Sequence, residues 1–141
     1  MKAVMLSIRP EWCEKIAQGR KTMELRKSKP KLELPFKCFI YCTKHRPELT
    51  QSAFSEEISN GRVVGEFVCD AVLSHCEMAN ADLAEQMSCV RREKIREYSD
   101  GKEVFGWHIS NLEIYETPEN LGTFGMSRPP QSWCYVEGIA G

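Results

Sequence analysis

The chain has 141 residues, of which 42% are hydrophobic and 28% charged, as in an ordinary water-soluble globular protein. Its formal net charge of -1 at pH 7 excludes a strongly basic or strongly acidic protein and identifies no partner by itself. This length predicts one domain, spanning residues 1–141, with one hydrophobic core.

The charges are distributed unevenly along the chain. Residues 1–50 contain 12 Lys/Arg and 5 Asp/Glu, a net charge of +7, whereas residues 51–141 contain 7 and 15, a net charge of -8. A basic first third could attract phosphate groups. Equally, the two parts could pack together and neutralise each other, so the charge split leaves both interpretations open.

The cysteines and the apolar runs restrict the cellular setting. Seven cysteines, an odd number, together with an opening too short and too charged for a secretory signal, argue against a disulfide framework. No apolar run approaches the ~18 residues that a membrane-spanning helix needs. Cys42/His45, His75/Cys76 and Cys38/Cys42 lack the doubled spacing of a zinc site. We therefore expect a reduced, cytoplasmic protein without metal, cofactor or membrane span.

Apolar runs and boundary residues divide the chain into elements. Pro10 suits the first turn of a helix and Gly19 its C-terminal end, which predicts a helix over 10–18. Gly65 inside an apolar run predicts a bulge. The expected strands are 3–8, 21–27, 36–43, 63–73, 104–115 (a strand pair or one long bent strand, ended by Thr117-Pro118) and 133–136. The expected further helices are a short one near 51–59, one that begins at Asn80 with an apolar stripe of Leu83, Met87 and Val90, and either an extension or a second helix over 91–97.

The order of these elements indicates the fold class. The strands do not alternate regularly with long helices, which disfavours a doubly wound parallel sheet. The pattern favours an α+β protein that is mostly β. We expect a small, mostly antiparallel β-barrel of five to six strands with two to three flanking helices.

The densest group of polar residues follows the first helix. Lys21, Glu24 and Arg26 lie within six residues, in a strand whose other face carries Met23 and Leu25. We expect Lys21 at the mouth of a cleft. A lysine and a carboxylate in a partly buried cleft can tune each other's pKa, and arginine adds donors for phosphate or carbonyl oxygens. Alternatively, these residues could form a solvated strand face with a cross-strand ion pair.

Three tryptophans are candidates for stacking on a base. Trp12 falls on the apolar face of the first helix, and tryptophans in such positions usually belong to the core. Trp133 follows a Pro-Pro-Gln-Ser loop, a good position for the wall of a cleft. Trp107 alternates with His108, so one of the two should face inward. In a nucleic-acid-binding protein, Trp133 or Trp107 could stack on a base.

The stretch LSIRPEWCEKIAQGRKTMELRK resembles the opening of ASCH domains, which belong to the PUA-like superfamily. Those domains show an apolar strand, a helix begun by proline and a G-x-K-x-x-[ET]-x-R signature, here Gly19, Lys21, Glu24 and Arg26. The resemblance continues through FIYCT, GRVVGEFVCDAVL, GWHISNLEIY and PPQSWCYV. It therefore covers nearly the whole chain, and the tail is similar to that of small ASCH proteins common in phages and prophages.

The resemblance implies a β-barrel with a cleft lined by the signature residues. PUA-like relatives bind RNA or recognise modified bases. One ASCH branch hydrolyses the N4-acyl group of acetylated cytidine with a lysine at the position of Lys21, a threonine at that of Glu24 and a glutamate from a later helix. Another is reported as a ribonuclease. Here Glu24 replaces the threonine nucleophile, Thr22 is a weak substitute, and Glu85 is the counterpart of the helix glutamate.

Two functional hypotheses follow, and a purely protein-binding adaptor is a third without a specific feature. In the first, a monomer binds RNA, single-stranded nucleic acid or a modified nucleoside. Lys21 and Arg26 hold oxygens, Glu24 accepts from a base amine, and Trp133 or Trp107 stacks on the base. The phosphate backbone would follow Arg20, Lys27, Lys29, Lys31 and Lys37. In the second, the protein is an enzyme that hydrolyses acylated cytidine or RNA, with Lys21, Glu24 and Glu85 as its catalytic residues.

Overall fold

The computed structural model describes residues 1–44, 59–74 and 81–138. This part of the chain forms six strands and three α-helices, in agreement with the expected α+β, mostly β fold. The predicted helix near 51–59 and the predicted helix start at Asn80 lie outside the described residues. The elements are β1 (Lys2–Ile8), α1 (Pro10–Ala17), β2 (Met23–Arg26), β3 (Phe36–Cys42), β4 (Arg62–Leu73), α2 (Ala81–Ser88), α3 (Arg92–Ser99), β5 (Phe105–Glu119) and β6 (Trp133–Glu137).

All six strands belong to one curled sheet, a half-barrel with the order β2-β5-β4-β3-β1-β6. β1 and β3 run parallel, and every other neighbouring pair runs antiparallel. The prediction of a mostly antiparallel arrangement is therefore confirmed. β2 and β6 are the two edge strands of the sheet. Contacts between residues near these two strands therefore hold the sheet in its curled shape.

The core explains why β1 reads as a continuous apolar run. Val4, Leu6 and Ile8 face the interior cluster that also contains Trp107. The intervening residues Ala3 and Met5 face a second cluster on the other side of the sheet, covered by residues of the segment 121–126. Because side chains alternate along a strand, a strand covered on both faces must be apolar at nearly every position.

The helix boundaries follow the predicted signals. Pro10 begins α1, which ends at Ala17, one residue before the predicted end, and Gly19 follows with φ of +76°. The charged run after α2 forms a separate helix, α3, which ends at Ser99 and is followed by Asp100 in the left-handed conformation. Of the predicted stripe on α2, Met87 and Val90 pack against a small buried cluster, but the side chain of Leu83 is 49% exposed.

Two strand boundaries differ from the prediction. β2 spans only Met23–Arg26 rather than 21–27, because the N–H groups of Lys21 and Thr22 donate to carbonyl oxygens of α1 and α2. β5 is one long strand that continues through Thr117-Pro118 to Glu119. Its register with β4 shifts between the pairs Val63↔Glu119 and Gly65↔Ile114. Pro118 lies within this irregular stretch, where its missing N–H breaks no regular ladder of hydrogen bonds.

The bulge predicted at Gly65 is present. The register of β4 shifts between Val63 and Gly65, both against β3 and against β5. A Cβ atom at position 65 would lie 2.5 Å from the carbonyl oxygen of Glu113. Glycine is therefore required here by the close approach of the β5 backbone.

Candidate functional site

A cleft of about 1070 Å³ opens between α1, β2 and α3, at the end of the half-barrel. Its walls come from the end of β1, one face of α1, the whole of β2 after Met23, the turn between α2 and α3, and α3 itself. The signature residues Lys21, Glu24 and Arg26 all line this cleft. The structure therefore brings the three together in a concave site rather than leaving them on a solvated strand face.

Lys21 forms part of the floor of the cleft, not its mouth as expected. Its side chain is 2% exposed, and its Nζ donates a 2.6 Å hydrogen bond to the carbonyl oxygen of Ser88. The ammonium lies 4.9 Å from the centre of the Trp12 ring and 4.0 Å from Oε2 of Glu24. Burial lowers the pKa of Lys21, an effect that the Glu24 carboxylate partly opposes. A lysine in this state gives up its proton more readily than an exposed one.

Glu24 lies between two cations. Its Oε1 is 3.5 Å from Nη2 of Arg26, and its Oε2 is 4.0 Å from Nζ of Lys21. The side chain is nine-tenths buried, yet within the described part of the chain Oε2 accepts no hydrogen bond. Buried carboxylate oxygens normally have a hydrogen-bond partner, so this atom is available to a donor that enters the cleft.

Arg26 connects the two edges of the sheet. From β2, its Nη1 donates to the carbonyl oxygen and to Oγ of Ser132, at 3.1 and 3.0 Å, and Nη2 donates to the carbonyl oxygen of Ser7 at 2.9 Å. Ser132 immediately precedes β6, the opposite edge strand. Both terminal nitrogens thus already donate to protein oxygens. We therefore interpret Arg26 as the residue that closes the curl and positions Glu24, rather than as a phosphate ligand.

Two aromatic side chains of the cleft come from helices. Trp12 of α1 is half-buried and has the ammonium groups of Lys15 and Lys21 within 4.8 and 4.9 Å of its ring centre. Tyr98 of α3 is 37% exposed, with Nζ of Lys27 at 4.8 Å from its ring centre. The sequence pattern places Trp12 in the core and gives no indication of Tyr98. The available signal for Trp12 is its helical spacing from Lys15, because residues three apart share one helix face.

The two tryptophans predicted to stack on a base do not line the cleft. Trp107 is fully buried in the interior cluster, with its ring centre 5.8 Å from that of Phe36. The prediction for Trp107 is therefore wrong, because it has no exposed face; His108 is the partner of the pair that faces outward. Trp133 packs edge-on against Trp107, and its Nε1 donates to Oγ of Ser28.

The basic residues of the cleft also differ from the predicted set. Of that set only Lys27 lines the cleft, while Arg20, Lys29, Lys31 and Lys37 all lie outside it. Lys29 lies over the ring of Phe105, and Lys37 pairs with Glu66 at 3.4 Å. Among the described residues, the lining contains seven basic side chains and one acidic side chain, Glu24; the basic ones are Arg9, Lys15, Lys21, Arg26, Lys27, Arg91 and Lys94.

The predicted helix glutamate binds a different partner. The Glu85 carboxylate accepts from the backbone N–H of Arg92 at 2.7 Å and from its Nη2 at 2.6 Å, which caps the start of α3. Its hydrogen bonds with Arg92 hold the pKa of Glu85 below its usual range. Neither Glu85 nor Thr22 lines the cleft. The assignment of Glu85 as a catalytic residue is therefore not supported by its position.

The described ranges contain no group of three or more His, Cys, Asp or Glu side chains arranged to hold a metal ion. They also contain no helix with the length and apolar character needed to cross a membrane. The expectation that the protein uses no cofactor stays a prediction.

The half-barrel and its cleft can be compared with known proteins. A family model described as the ASCH domain matches residues 6–119, which is most of the chain, so the protein belongs to the ASCH domain family. The resemblance seen in the signature residues is thereby confirmed at the level of the family. The comparison with curated protein sequences returned no match.

Solved structures of an ASCH protein from Zymomonas mobilis share the fold. A tyrosine-to-phenylalanine variant of that protein superposes with a TM-score of 0.69 at 19% identity, over 97% of this chain and 91% of the other. A serine-to-alanine variant gives 0.68 at 19% identity, over 96% and 88%. The unsubstituted ASCH protein gives 0.64 at 20% identity, over 96% and 87%. At this identity the similarity establishes the fold.

Proposed function

We propose that this ASCH protein binds single-stranded nucleic acid, with RNA or a modified nucleobase as its ligand, in the cleft between α1, β2 and α3. The observation that carries the proposal is the charge of the lining, seven basic side chains against one carboxylate among the described residues. A concave surface lined by one sign of charge concentrates ligands of the opposite charge. The nucleic-acid backbone carries one negative charge per phosphate and releases counterions when it binds such a surface.

The rim of the cleft is suited to phosphate groups. Three exposed cations line the cleft: Lys27 follows β2, Arg91 immediately precedes α3 and Lys94 lies in α3. Arg9, which precedes α1, is also exposed in the lining. Exposed cationic side chains of this kind contact phosphates without reading the base sequence. They supply affinity and a strong dependence on salt concentration, but not specificity.

The floor of the cleft is suited to one base. Oε2 of Glu24 can accept from an N–H on the edge of a base, which would satisfy its missing hydrogen bond. Trp12 and Tyr98, rather than Trp133 or Trp107, offer aromatic surfaces for stacking. Lys21 is positioned by Ser88 to donate to a carbonyl oxygen of the same base. We further propose that the protein binds this ligand as a monomer.

Tryptophan fluorescence tests whether a base stacks in this cleft. We expect a short single-stranded RNA to quench the emission of the wild-type protein and of a Trp133→Phe variant. The quenching should disappear in Trp12→Phe, because Trp12 is the tryptophan of the cleft wall. Fluorescence anisotropy of a labelled RNA, measured in parallel, reports binding itself. Quenching that persists in Trp12→Phe and disappears in Trp133→Phe would contradict the proposed stacking position.

A second candidate function rests on the pair Lys21 and Glu24. A buried lysine with a lowered pKa, 4.0 Å from a carboxylate, is a candidate for proton transfer in hydrolysis. The substrate would be N4-acylated cytidine or RNA. Incubation of the pure protein with N4-acetylcytidine and with RNA, without added metal, should then give cytidine or cleaved RNA, and Glu24→Gln should abolish it. Absence of product from both substrates would leave binding as the better account.

A further inference from the structure

One thiol lies in the wall of the cleft. Cys89 is in the turn between α2 and α3, half-buried, and lines the cleft beside Arg91. Its Sγ donates to the carbonyl oxygen of Arg20 at 3.3 Å, while Lys21 donates to the carbonyl oxygen of Ser88 at 2.6 Å. Two side-chain hydrogen bonds therefore connect Ser88 and Cys89 to the segment that carries Lys21.

The conformation of Cys89 does not account for a cysteine at this position. Its φ is +61°, in the left-handed region, and its N–H donates to the carbonyl oxygen of Glu85. Glycine or asparagine is the usual residue at such a helix end, because a Cβ atom disfavours this conformation. A strained residue in the wall of a cleft points to a role in that cleft.

Basic side chains line the same cleft as Cys89. Cations beside a thiol attract an anionic reagent towards it. Lys21 interacts electrostatically with Cys89, and Arg91 lines the same cleft. By contrast, burial raises the pKa of the thiols of Cys13, Cys38 and Cys134. Among the cysteines that the structure describes, Cys89 is the one that lines this cleft.

A second observation indicates that the cleft receives a ligand. Glu24 is nine-tenths buried, lines the same cleft and keeps one carboxylate oxygen without a hydrogen-bond partner among the described residues. The basic lining favours an anionic ligand. An anionic small molecule that carries an electrophilic sulfur would thus be drawn towards the thiol.

We propose that Cys89 forms a mixed disulfide with anionic low-molecular-weight disulfides, and that the attached group then blocks binding of RNA in the cleft. The blocking of RNA binding rests on the proposed function. The Cys89 thiolate attacks one sulfur of the disulfide along the S–S axis. A new S–S bond forms to Cys89 as the old one breaks, and the other half leaves as a thiolate. Two electrons move from the attacking sulfur to the leaving sulfur, and no further oxidant is needed.

The first arm of the test measures the reaction without nucleic acid. The probe is dithiobis-nitrobenzoate, an anionic aromatic disulfide whose leaving thiolate is coloured. The background carries Cys76→Ser, because Cys76 lies outside the described residues. We expect one fast equivalent that disappears in Cys89→Ser and is kept in Cys134→Ser. A fast phase that persists in Cys89→Ser would overturn the proposal.

The role of charge is tested with matched reagents and variants. Arg91→Gln should slow the reaction with the anionic probe by about threefold to tenfold at low salt, because it removes a steering charge from the cleft. Lys102→Gln, an exposed position outside the cleft, should leave the rate unchanged. The neutral disulfide dithiodipyridine should react equally with both variants. Equal slowing by both substitutions would contradict steering by the cleft.

The second arm measures RNA binding after modification. Protein carrying the nitrobenzoate at Cys89 should bind single-stranded RNA more weakly, and dithiothreitol should restore its affinity. Cys89→Ser treated in the same way should bind as before treatment. If the unmodified protein binds no RNA, the proposed function fails while the fast reaction at Cys89 stands. If modified protein binds RNA as tightly as unmodified protein, the proposed blocking is overturned.

Discussion

Replacing Arg26 with methionine is expected to lower the free energy of unfolding by about 3–5 kcal/mol, the usual effect of removing one partner of a buried ionic network. Arg26 makes three hydrogen bonds from the edge strand β2, two to Ser132 beside the opposite edge strand β6 and one to Ser7 of β1. Its removal also leaves the buried Glu24 carboxylate with only Lys21 as a nearby cation among the described residues. Urea unfolding followed by circular dichroism measures the change.

Two further variants separate charge from geometry. Arg26→Lys keeps a positive charge near Glu24 but cannot reach Ser7 and Ser132 together, so its destabilisation should be intermediate. Arg20→Met removes an exposed arginine from outside the cleft and should change stability by less than about 0.5 kcal/mol. An Arg26→Met protein as stable as Arg20→Met would show that the connection between the sheet edges contributes nothing.

The second large effect concerns the rim of the cleft. The double variant Lys27→Ala/Lys94→Ala is expected to weaken binding of single-stranded RNA by roughly 50-fold at low salt, because two phosphates would no longer be neutralised. Both lysines are exposed in the cleft lining, so their removal should leave the fold intact. Fluorescence anisotropy with an RNA of a few nucleotides measures the affinity.

The control for this variant removes the same charge elsewhere. Lys31→Ala/Lys102→Ala takes two exposed lysines from outside the cleft. We expect its affinity for the same short RNA to stay close to that of the wild type. Equal weakening in the two double variants would mean that net charge, rather than the cleft, governs binding.

The elements of the fold follow from the sequence more readily than the contacts between them. β1 and β3 are evident from apolar runs, and Pro10 and Gly19 mark the ends of α1, because local backbone preferences decide these features. The parallel pairing of β1 with β3 is not evident, since it depends on residues far apart in the chain. The extension of β5 past Pro118 escapes prediction because a register shift absorbs the proline.

For the candidate site, the sequence likewise predicts the residues but not their contacts. The signature spacing identifies Lys21, Glu24 and Arg26, all of which line one cleft. Spacing cannot show that the terminal nitrogens of Arg26 bind Ser7 and Ser132, because those hydrogen bonds join residues far apart in the chain. The signature spacing identifies the polar residues, but it does not show which of them are buried by a neighbouring helix or strand.

The aromatic residues show why the rest of the site requires the structure. Trp12, Trp107 and Trp133 look alike as apolar side chains in the sequence. Which of them lines the cleft depends on how α1 packs at the end of the half-barrel, and of the three only Trp12 does so. Tyr98 reaches the cleft because α3 lies across from α1, a placement that no local pattern encodes.

The dependence of RNA affinity on salt tests the central claim most directly. For a single strand, each phosphate that the protein neutralises adds about 0.7 to the steepness of log affinity against log salt concentration. The wild type should therefore show a slope steeper than that of Lys27→Ala/Lys94→Ala by about 1.4, with Lys31→Ala/Lys102→Ala matching the wild type. Identical slopes for the wild type and the Lys27/Lys94 variant would contradict a phosphate-binding role for this cleft.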